Sequence, residues 1–423
     1  MSLEYRVGDV FDRLAEIPDG SIDLLVTSPP FLALRAYLPA DHPDKHKEIG
    51  SEPTPAEFID TLLALTAEWG RVLAPHGSIC VELGDTYSGS GGAGGDYYTG
   101  GLRDGQAKFQ GSASKSSGHT KTLKGPGWPL AKSLTGIPTL YPWSLAYGRN
   151  LLTGDESPAG QWRIRNVIVW ARPNPPVGAL GDKFRPATSY ITVACRGPKR
   201  YFDLDAVRGG EHNVKDITSR GRNGVKLADQ PRTLAGGKYA TRVPSAPGGA
   251  PPLDWHADEH PEDGDWLWKL STQAYSGAHY ATYPLALPKR MIEAMCPLRV
   301  CRECGKPSER VVDATYTPHG ERRDEPKSVR GAGVQNGGHA QAFEHGRASK
   351  HVTTVGWTDC GCSTNGAHWR TEIVLDPFAG SGTTLEAAQA VGRHAIGIDL
   401  DSRNADLARN RVGMFLDVVD HVA

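Results

Sequence analysis

The 423-residue chain has almost no net charge: 47 lysines and arginines stand against 48 aspartates and glutamates, leaving −1 at neutral pH. The global cationic field that marks many nucleic-acid-binding proteins is therefore missing, and a partner of that kind would have to be met by a local basic groove. No run approaches the ~20 consecutive apolar residues that a membrane span needs. The opening segment MSLEYRVGDV has no basic stretch followed by an apolar one, so no secretory signal is expected, and a cytoplasmic protein without a membrane partner follows. Cysteine is sparse, with 7 in the whole chain, and outside a secretory context these do not read as a disulfide framework. Also absent are a complete G-x-G-x-x-G and a Gly-Lys-Ser/Thr phosphate loop, which argues against pyrophosphate binding.

The composition that remains, 39% apolar and 22% charged, is that of a soluble globular protein. The length exceeds the roughly 250–300 residues of a single core, so one domain with insertions, or two domains, is expected. Tyr5 to Val10 reads as a strand, Phe11 to Ile17 as a short amphipathic helix, and Pro18-Asp19-Gly20 as its stop. Ile22 to Thr27 (IDLLVT) is a continuous apolar run of the kind that forms a buried parallel strand. A helix is expected from Thr54, with Pro55 at its first position and Glu57 in its first turn, to about Leu73, and then a strand at Gly77 to Leu83. This alternation is doubly wound α/β logic. Further strands are expected at Trp162 to Trp170, Ser189 to Ala194, Ile373 to Asp376 and Ala395 to Asp399, and a helix at Pro288 to Met295. Residues 88–127, 205–262 and 313–350 are polar and rich in Gly, Ser or Pro, and read as insertions, the last of them mobile. Two stretches are locally basic: Arg103, Lys108, Lys115, Lys121, Lys124 and Lys132 in one, and Arg196, Lys199, Arg200, Lys238 and Arg242 in the other. Solvated loops or DNA contacts would both explain them.

Two motifs carry chemistry. The first is Asp376-Pro377-Phe378-Ala379-Gly380-Ser381-Gly382-Thr383-Thr384, between an apolar strand and a helix, followed by a second strand that ends in Asp399. Glycines at such a turn let a ligand approach the backbone, and an acid some twenty residues on can accept hydrogen bonds from ribose hydroxyls. This is a nucleoside-cofactor site. The second is Thr27-Ser28-Pro29-Pro30-Phe31, directly after IDLLVT. The prolines stiffen the loop and remove two N–H donors, so the Pro29 carbonyl stands beside the Ser28 hydroxyl as an acceptor. Together they could take both protons of an amino group, draw its nitrogen out of conjugation, and let its lone pair attack the methyl of a sulfonium. Phe31 could then stack on a base flipped from its helix.

The cysteines suggest a metal. Cys301 and Cys304 (C-x-x-C-G-K) and Cys360 and Cys362 (C-G-C) form two halves of a tetrahedral thiolate site for a structural Zn²⁺, although residues 305–359 make an unusually long link. His279 and His368 could be further ligands but are read as local structural residues, and Cys80, Cys195 and Cys296 as core.

TSPPF early and DPFAGSGTT late resemble, in that order, the amino-group DNA methyltransferases of the β arrangement. Gly8-Asp9, GSICVELGDTY with Asp85, Asn166 to Pro176 and His279 to Arg290 are similar to further family segments. The resemblance implies a Rossmann-like methyltransferase sheet that binds S-adenosylmethionine, with an inserted target-recognition region and a small zinc-binding insertion. It implies that Asp399, with Leu400, holds the ribose and that Asp9 lies near the adenine. The turn Asp376, Pro377, Phe378, Ala379, Gly380, Ser381, Gly382 and Thr383 would hold the methionine part, with Thr27, Tyr283 and Pro284 completing the pocket. Ser28, Pro29, Pro30 and Phe31 would hold the base. The partners implied are double-stranded DNA and a cognate restriction endonuclease or defence system; the oligomeric state stays open. Ser rather than Asp at position 28 favours cytosine N4 over adenine N6 within the family, with a methyltransferase acting on RNA or a small molecule as the remoter alternative and a DNA-binding adaptor as the non-enzymatic one. The expected division is 1–87, catalytic half; 88–161, Gly/Ser-rich flexible insertion that could contact DNA; 162–200, core; 201–265, target recognition; 266–300, cofactor-pocket segment; 301–365, zinc-binding insertion with a mobile loop; and 366–423, cofactor half.

Overall fold

The computed structural model describes residues 2–38, 41–89, 94–95, 125–173, 184, 186–207, 212–213, 268–271, 283–318, 348–362 and 368–419. Most of the expected target-recognition region lies outside these residues, as do His279, Lys238, Arg242 and every basic residue of the first stretch except Lys132. The chain divides into two compact units, one made of 1–206, 267–309 and 359–423, the other of 207–266 and 310–358.

The first unit is built on a nine-stranded sheet. Its strands in chain order are β1 (Leu3–Val7), β2 (Ile22–Thr27), β3 (Leu73–Leu83), β4 (Arg163–Ala171), β5 (Thr188–Cys195), β6 (Trp268–Lys269), β7 (Ile373–Asp376), β8 (His394–Asp399) and β9 (Leu416–Val419). The spatial order is β9-β1-β8-β7-β2-β3-β5-β4-β6. The six strands from β9 to β3 run parallel, and β5 is antiparallel to both β3 and β4. Among the described residues the helices are α1 (Val10–Ala15), α2 (Pro55–Val72), α3 (Ile137–Tyr147), α4 (Ala286–Met295), α5 (Thr383–Ala390) and α6 (Ser402–Val412). They fall into two groups, α2 touching α1 and α3, and α5 touching α4 and α6. Every residue of β2 is buried. Continuous burial without alternation is what a central parallel strand covered on both faces requires, and it explains why IDLLVT carries no polar period. The expectation of an α/β fold with a central, mostly parallel sheet holds.

Helix α2 starts as its sequence dictates: the Thr54 hydroxyl accepts from the Glu57 N–H and donates to the Glu57 carboxylate at 3.0 Å, a reciprocal cap, with Pro55 at the first position. Its buried face, Phe58, Ile59, Leu62, Leu63, Leu65, Trp69 and Val72, meets Leu25, Ile79 and Val81 of the sheet in one core cluster. Among the described residues no helix is long and apolar enough to cross a membrane.

Four local readings are corrected. The first strand ends at Val7 and not Val10, because Gly8 adopts φ +145° and Asp9 caps α1 by accepting from the N–H groups of Phe11 and Asp12; Val10 thus becomes helical. Within the stretch expected to be a flexible insertion, α3 forms between Gly136 and Gly148, both in the left-handed region. Pro142 inside it hides the helix from a periodicity argument, yet Ile137, Tyr141 and Leu145 are buried and the Tyr141 hydroxyl meets the Thr66 hydroxyl at 2.8 Å. In the second unit, part of the segment expected to lack regular structure forms antiparallel strands Arg310–Pro318 and Ala348–Trp357, with His212–Asn213 as a third. The β-branched run Val311, Val312, Thr315, Thr317 favours the extended form. The carboxyl-terminal part adds α6 and β9 to the two strands expected there.

Candidate functional site

Strands β2 and β7 are direct parallel neighbours, with Leu24 opposite Val374 and Leu25 opposite Leu375. Their carboxyl ends, where open α/β sheets bind ligands, carry the two motifs. The Thr27 hydroxyl donates to Asp376 Oδ1 at 2.7 Å, joining the root of the Ser-Pro-Pro-Phe loop to the root of the glycine turn. Asp376 Oδ1 also accepts from the Phe378 N–H at 3.1 Å, while Oδ2 accepts from the Thr384 hydroxyl at 2.5 Å and the Tyr283 hydroxyl at 3.1 Å. Tyr283 also bonds to the Thr384 hydroxyl, and Pro284 leads into α4 by accepting from the Leu287 N–H. Burial pushes the Asp376 carboxyl up, and these four donors draw it back.

The turn itself is held from three sides. Ala379 N–H donates to the Ile398 carbonyl at 2.8 Å, Tyr5 of β1 donates its hydroxyl to the Gly380 carbonyl at 2.7 Å, and Gly380 N–H donates to Asp399 Oδ2 at 2.9 Å. Gly382 sits at φ +80°, and a Cβ there would come 3.0 Å from Ala408 Cβ, so only glycine lets α5 start this close to α6. Asp399 Oδ1 accepts from the Asp401 N–H and the Asn404 amide, both at 2.9 Å, with Leu400 in the bend between. Burial pushes the Asp399 carboxyl up to about 6. Gly8 N–H donates to the Asp399 carbonyl at 2.9 Å, which places Asp9 next along the chain from that contact. The Thr383 hydroxyl is already taken, accepting from Arg411 at 2.8 Å. The Ser381 hydroxyl is buried and has no partner among the described residues.

The Ser28 hydroxyl donates to Glu82 Oε2 at 2.6 Å. Glu82, near the end of β3, is 4% exposed, and among the described residues its Oε1 makes no hydrogen bond, with the Ser189 hydroxyl close by but outside bonding geometry. Burial pushes this carboxyl up, and the hydroxyls of Ser189 and Ser28 and the Arg172 guanidinium oppose the rise. Sequence reasoning missed Glu82; the available signal was an acid within the apolar run from Ile79 to Leu83. It missed Tyr5 for the opposite reason, since a tyrosine in β1 looks like core. Pro29 is buried and Pro30 half-buried. Phe31 is half-buried against Gly84, where a Cβ would lie 2.5 Å from its ring, and the loop returns over Gly50, whose carbonyl accepts from the Ala33 N–H at 2.7 Å.

The sulfurs of Cys301, Cys304, Cys360 and Cys362 all lie within 4.8 Å of one another. The Cys301 sulfur accepts from the backbone N–H groups of Glu303 and Cys304, each at 3.4 Å, and Gly305 follows at φ +67°. Gly361 between the other two cysteines is at φ +77°.

The N6/N4 methyltransferase family model, described as DNA methylase, matches residues 22–299 and 362–410. M.SmaI of Serratia marcescens, a Type II methyltransferase, is 22% identical over 411 residues, 97% of this chain and 91% of that protein. M.Cfr9I of Citrobacter freundii, also a Type II methyltransferase, is 25% identical over 290 residues, 68% of this chain and 70% of its own length. M.SfiI of Streptomyces fimbriatus is 28% identical over 258 residues, and this chain spans about half its length, 51%. Among solved structures, the PvuII DNA methyltransferase (cytosine-N4-specific) aligns with a TM-score of 0.44 at 12% identity, covering 99% of this chain and 95% of that one.

Proposed function

The chain belongs to the N6/N4 DNA methylase family, and on that premise we propose that it moves the methyl group of S-adenosylmethionine to the exocyclic N4 amino group of a cytosine flipped out of double-stranded DNA. The observation that carries the reading is the 2.7 Å bond from Thr27 to Asp376, which makes the amine-holding loop and the glycine turn neighbours on adjacent strand tips.

The residues present fit the cofactor. The buried, unbonded Ser381 hydroxyl is a group that a bound ligand would satisfy, and the glycines at 380 and 382 leave the turn open to close approach. Asp399 Oδ2, which among the described residues takes the Gly380 N–H alone, keeps acceptor capacity for ribose hydroxyls. Asp9 stands near the adenine end, and Tyr283 with Pro284 closes the pocket beside Asp376. Bound there, the cofactor would supply an electrophilic methyl on a sulfonium sulfur, which would take back the C–S bonding pair and leave as a neutral thioether.

Ser28, Pro29 and Phe31 do the rest. The Ser28 proton is committed to Glu82, so its oxygen meets the base with lone pairs only, and the Pro29 carbonyl gives the second acceptor. An amino nitrogen held by both is pyramidalised and offers its lone pair to the methyl; the proton it sheds passes through the Ser28 hydroxyl to Glu82, whose buried carboxyl is disposed to take it. Phe31 supports the base by stacking. Serine at position 28 favours cytosine over adenine. The Type II relatives support a role as the modification partner of a restriction endonuclease. The same reading gives the four clustered thiolates a structural Zn²⁺ with no part in methyl transfer.

The test is incubation with unmethylated DNA and labelled cofactor, followed by nucleoside mass spectrometry. N4-methylcytosine is the expected product. N6-methyladenine alone would overturn the choice of base, and label in RNA but not in DNA would overturn the substrate class.

A further inference from the structure

Resting on the reading of a structural Zn²⁺ at Cys301, Cys304, Cys360 and Cys362, we infer that this ion is a clasp on the foot of the catalytic strand: through the strand pair that Cys301 forms with Trp369 it holds Arg370 against the buried carboxylate of Asp23 on β2. The four sulfurs are within 4.8 Å of one another, and tetrahedral coordination with Zn–S of about 2.3 Å places sulfurs roughly 3.8 Å apart, so contraction by about an ångström closes the site. Hydrophobic burial does not explain the cluster, because Cys304 and Cys362 are exposed. The two N–H groups directed at the Cys301 sulfur are the donors that a thiolate ligand needs.

From the cluster a short path leads to the sheet. Val300–Cys301 forms a two-residue antiparallel pair with Trp369–Arg370, Cys301 facing Trp369 and Val300 facing Arg370. Arg302 N–H donates to the His368 carbonyl at 2.7 Å, and the Arg299 guanidinium lies 4.4 Å from the Trp369 ring. Arg370 then donates from both terminal nitrogens to Asp23, at 2.6 and 2.7 Å. Asp23 is fully buried, and it also accepts from the Ile373 N–H and meets His76 Nε2, each at 2.9 Å. A two-residue strand pair is a weak tether for an arginine that must neutralise a buried charge, since such pairs are stable only with further support. The ion supplies that support, tying together two points of the chain separated by residues 305–359. Asp23 stands near the amino end of β2 and Ser28 just past its carboxyl end, so the clasp acts at the end of the strand away from the reaction. Metal occupancy thereby governs the firmness of the strand without entering the chemistry.

The test uses the full-length protein. Elemental analysis is expected to find stoichiometric zinc, and chelation is expected to abolish hydrogen-exchange protection in peptides covering 22–27 and 368–376, with recovery when Zn²⁺ is added back. Cys304→Ser should show the same loss, and Arg370→Met should lose protection at 22–27 while retaining its zinc. If Cys304→Ser does not fold, chelation and reloading of the unaltered protein still decide the matter. Absence of stoichiometric zinc would overturn the metal reading itself. Zinc-loaded protein whose 22–27 protection survives chelation would overturn the clasp and leave the zinc in place.

Discussion

Gly84→Ala is a small substitution expected to have a large effect. Gly84 follows β3, and a Cβ at this position would lie 2.5, 2.8 and 3.2 Å from three atoms of the Phe31 ring. Since ordinary contact begins near 3.4 Å, the ring must retreat by about an ångström. The loop also packs closely over Gly50, where a Cβ would come 3.0 Å from the Phe31 carbonyl and 3.1 Å from Pro30. The strain of such overpacking is about 1–3 kcal/mol. If the ring leaves its place against the base, the lost stacking is worth about 1–3 kcal/mol, or roughly 5- to 150-fold in kcat/KM for DNA. S-adenosylmethionine affinity, measured by calorimetry, should be unchanged, because the atoms nearest a Cβ on Gly84 all belong to the Phe31 ring and none to the turn at Asp376 to Gly382 or to Asp399. Phe31→Ala should cost a similar amount, and adding Gly84→Ala to it should cost little more, since the new methyl then has room. Full turnover by Gly84→Ala, or additive losses in the double variant, would refute the assignment of Phe31 as the base-stacking group.

Three further outcomes follow from the geometry. Asp399 has its carboxyl raised to about 6 by burial, so cofactor affinity should fall as pH drops through 6 and level off above it, and Asp399→Asn should flatten that profile; in cofactor-free protein the same raised pKa makes stability decline as pH rises from about 3.9 through 6. Glu82→Gln keeps an acceptor for Ser28 but cannot take the amine's proton, and should lower kcat by about 10²- to 10⁴-fold with cofactor affinity intact; wild-type turnover would rule out the relay. Arg370→Met leaves the fully buried Asp23 short of its charge partner and should cost about 3–5 kcal/mol in denaturant unfolding. Arg370 and His76 hold the Asp23 carboxyl low against the opposing effect of burial, so its contribution is present above the ordinary carboxylate range and is lost as pH falls through the lowered value; an unchanged denaturation midpoint at neutral pH would sink this account.

What could be read from the sequence was local. The unbroken apolar run of β2, the Thr54-Pro55-Glu57 start of α2, the glycine turn between β7 and α5, and the pairing of cysteines by short spacing all depend on residues within a few positions of one another, where steric and hydrogen-bond rules act without knowledge of the rest of the chain. Helix α3 escaped because its internal Pro142 defeats that local logic, while its burial against α2 overrides it. The partnerships that make a site belong to the tertiary structure: Thr27 with Asp376, Ser28 with Glu82, Tyr5 with Gly380, and Arg370 with Asp23. Each depends on which strands lie side by side, and strand order is set by the burial of whole faces, a property of the assembled sheet that no short stretch of sequence contains.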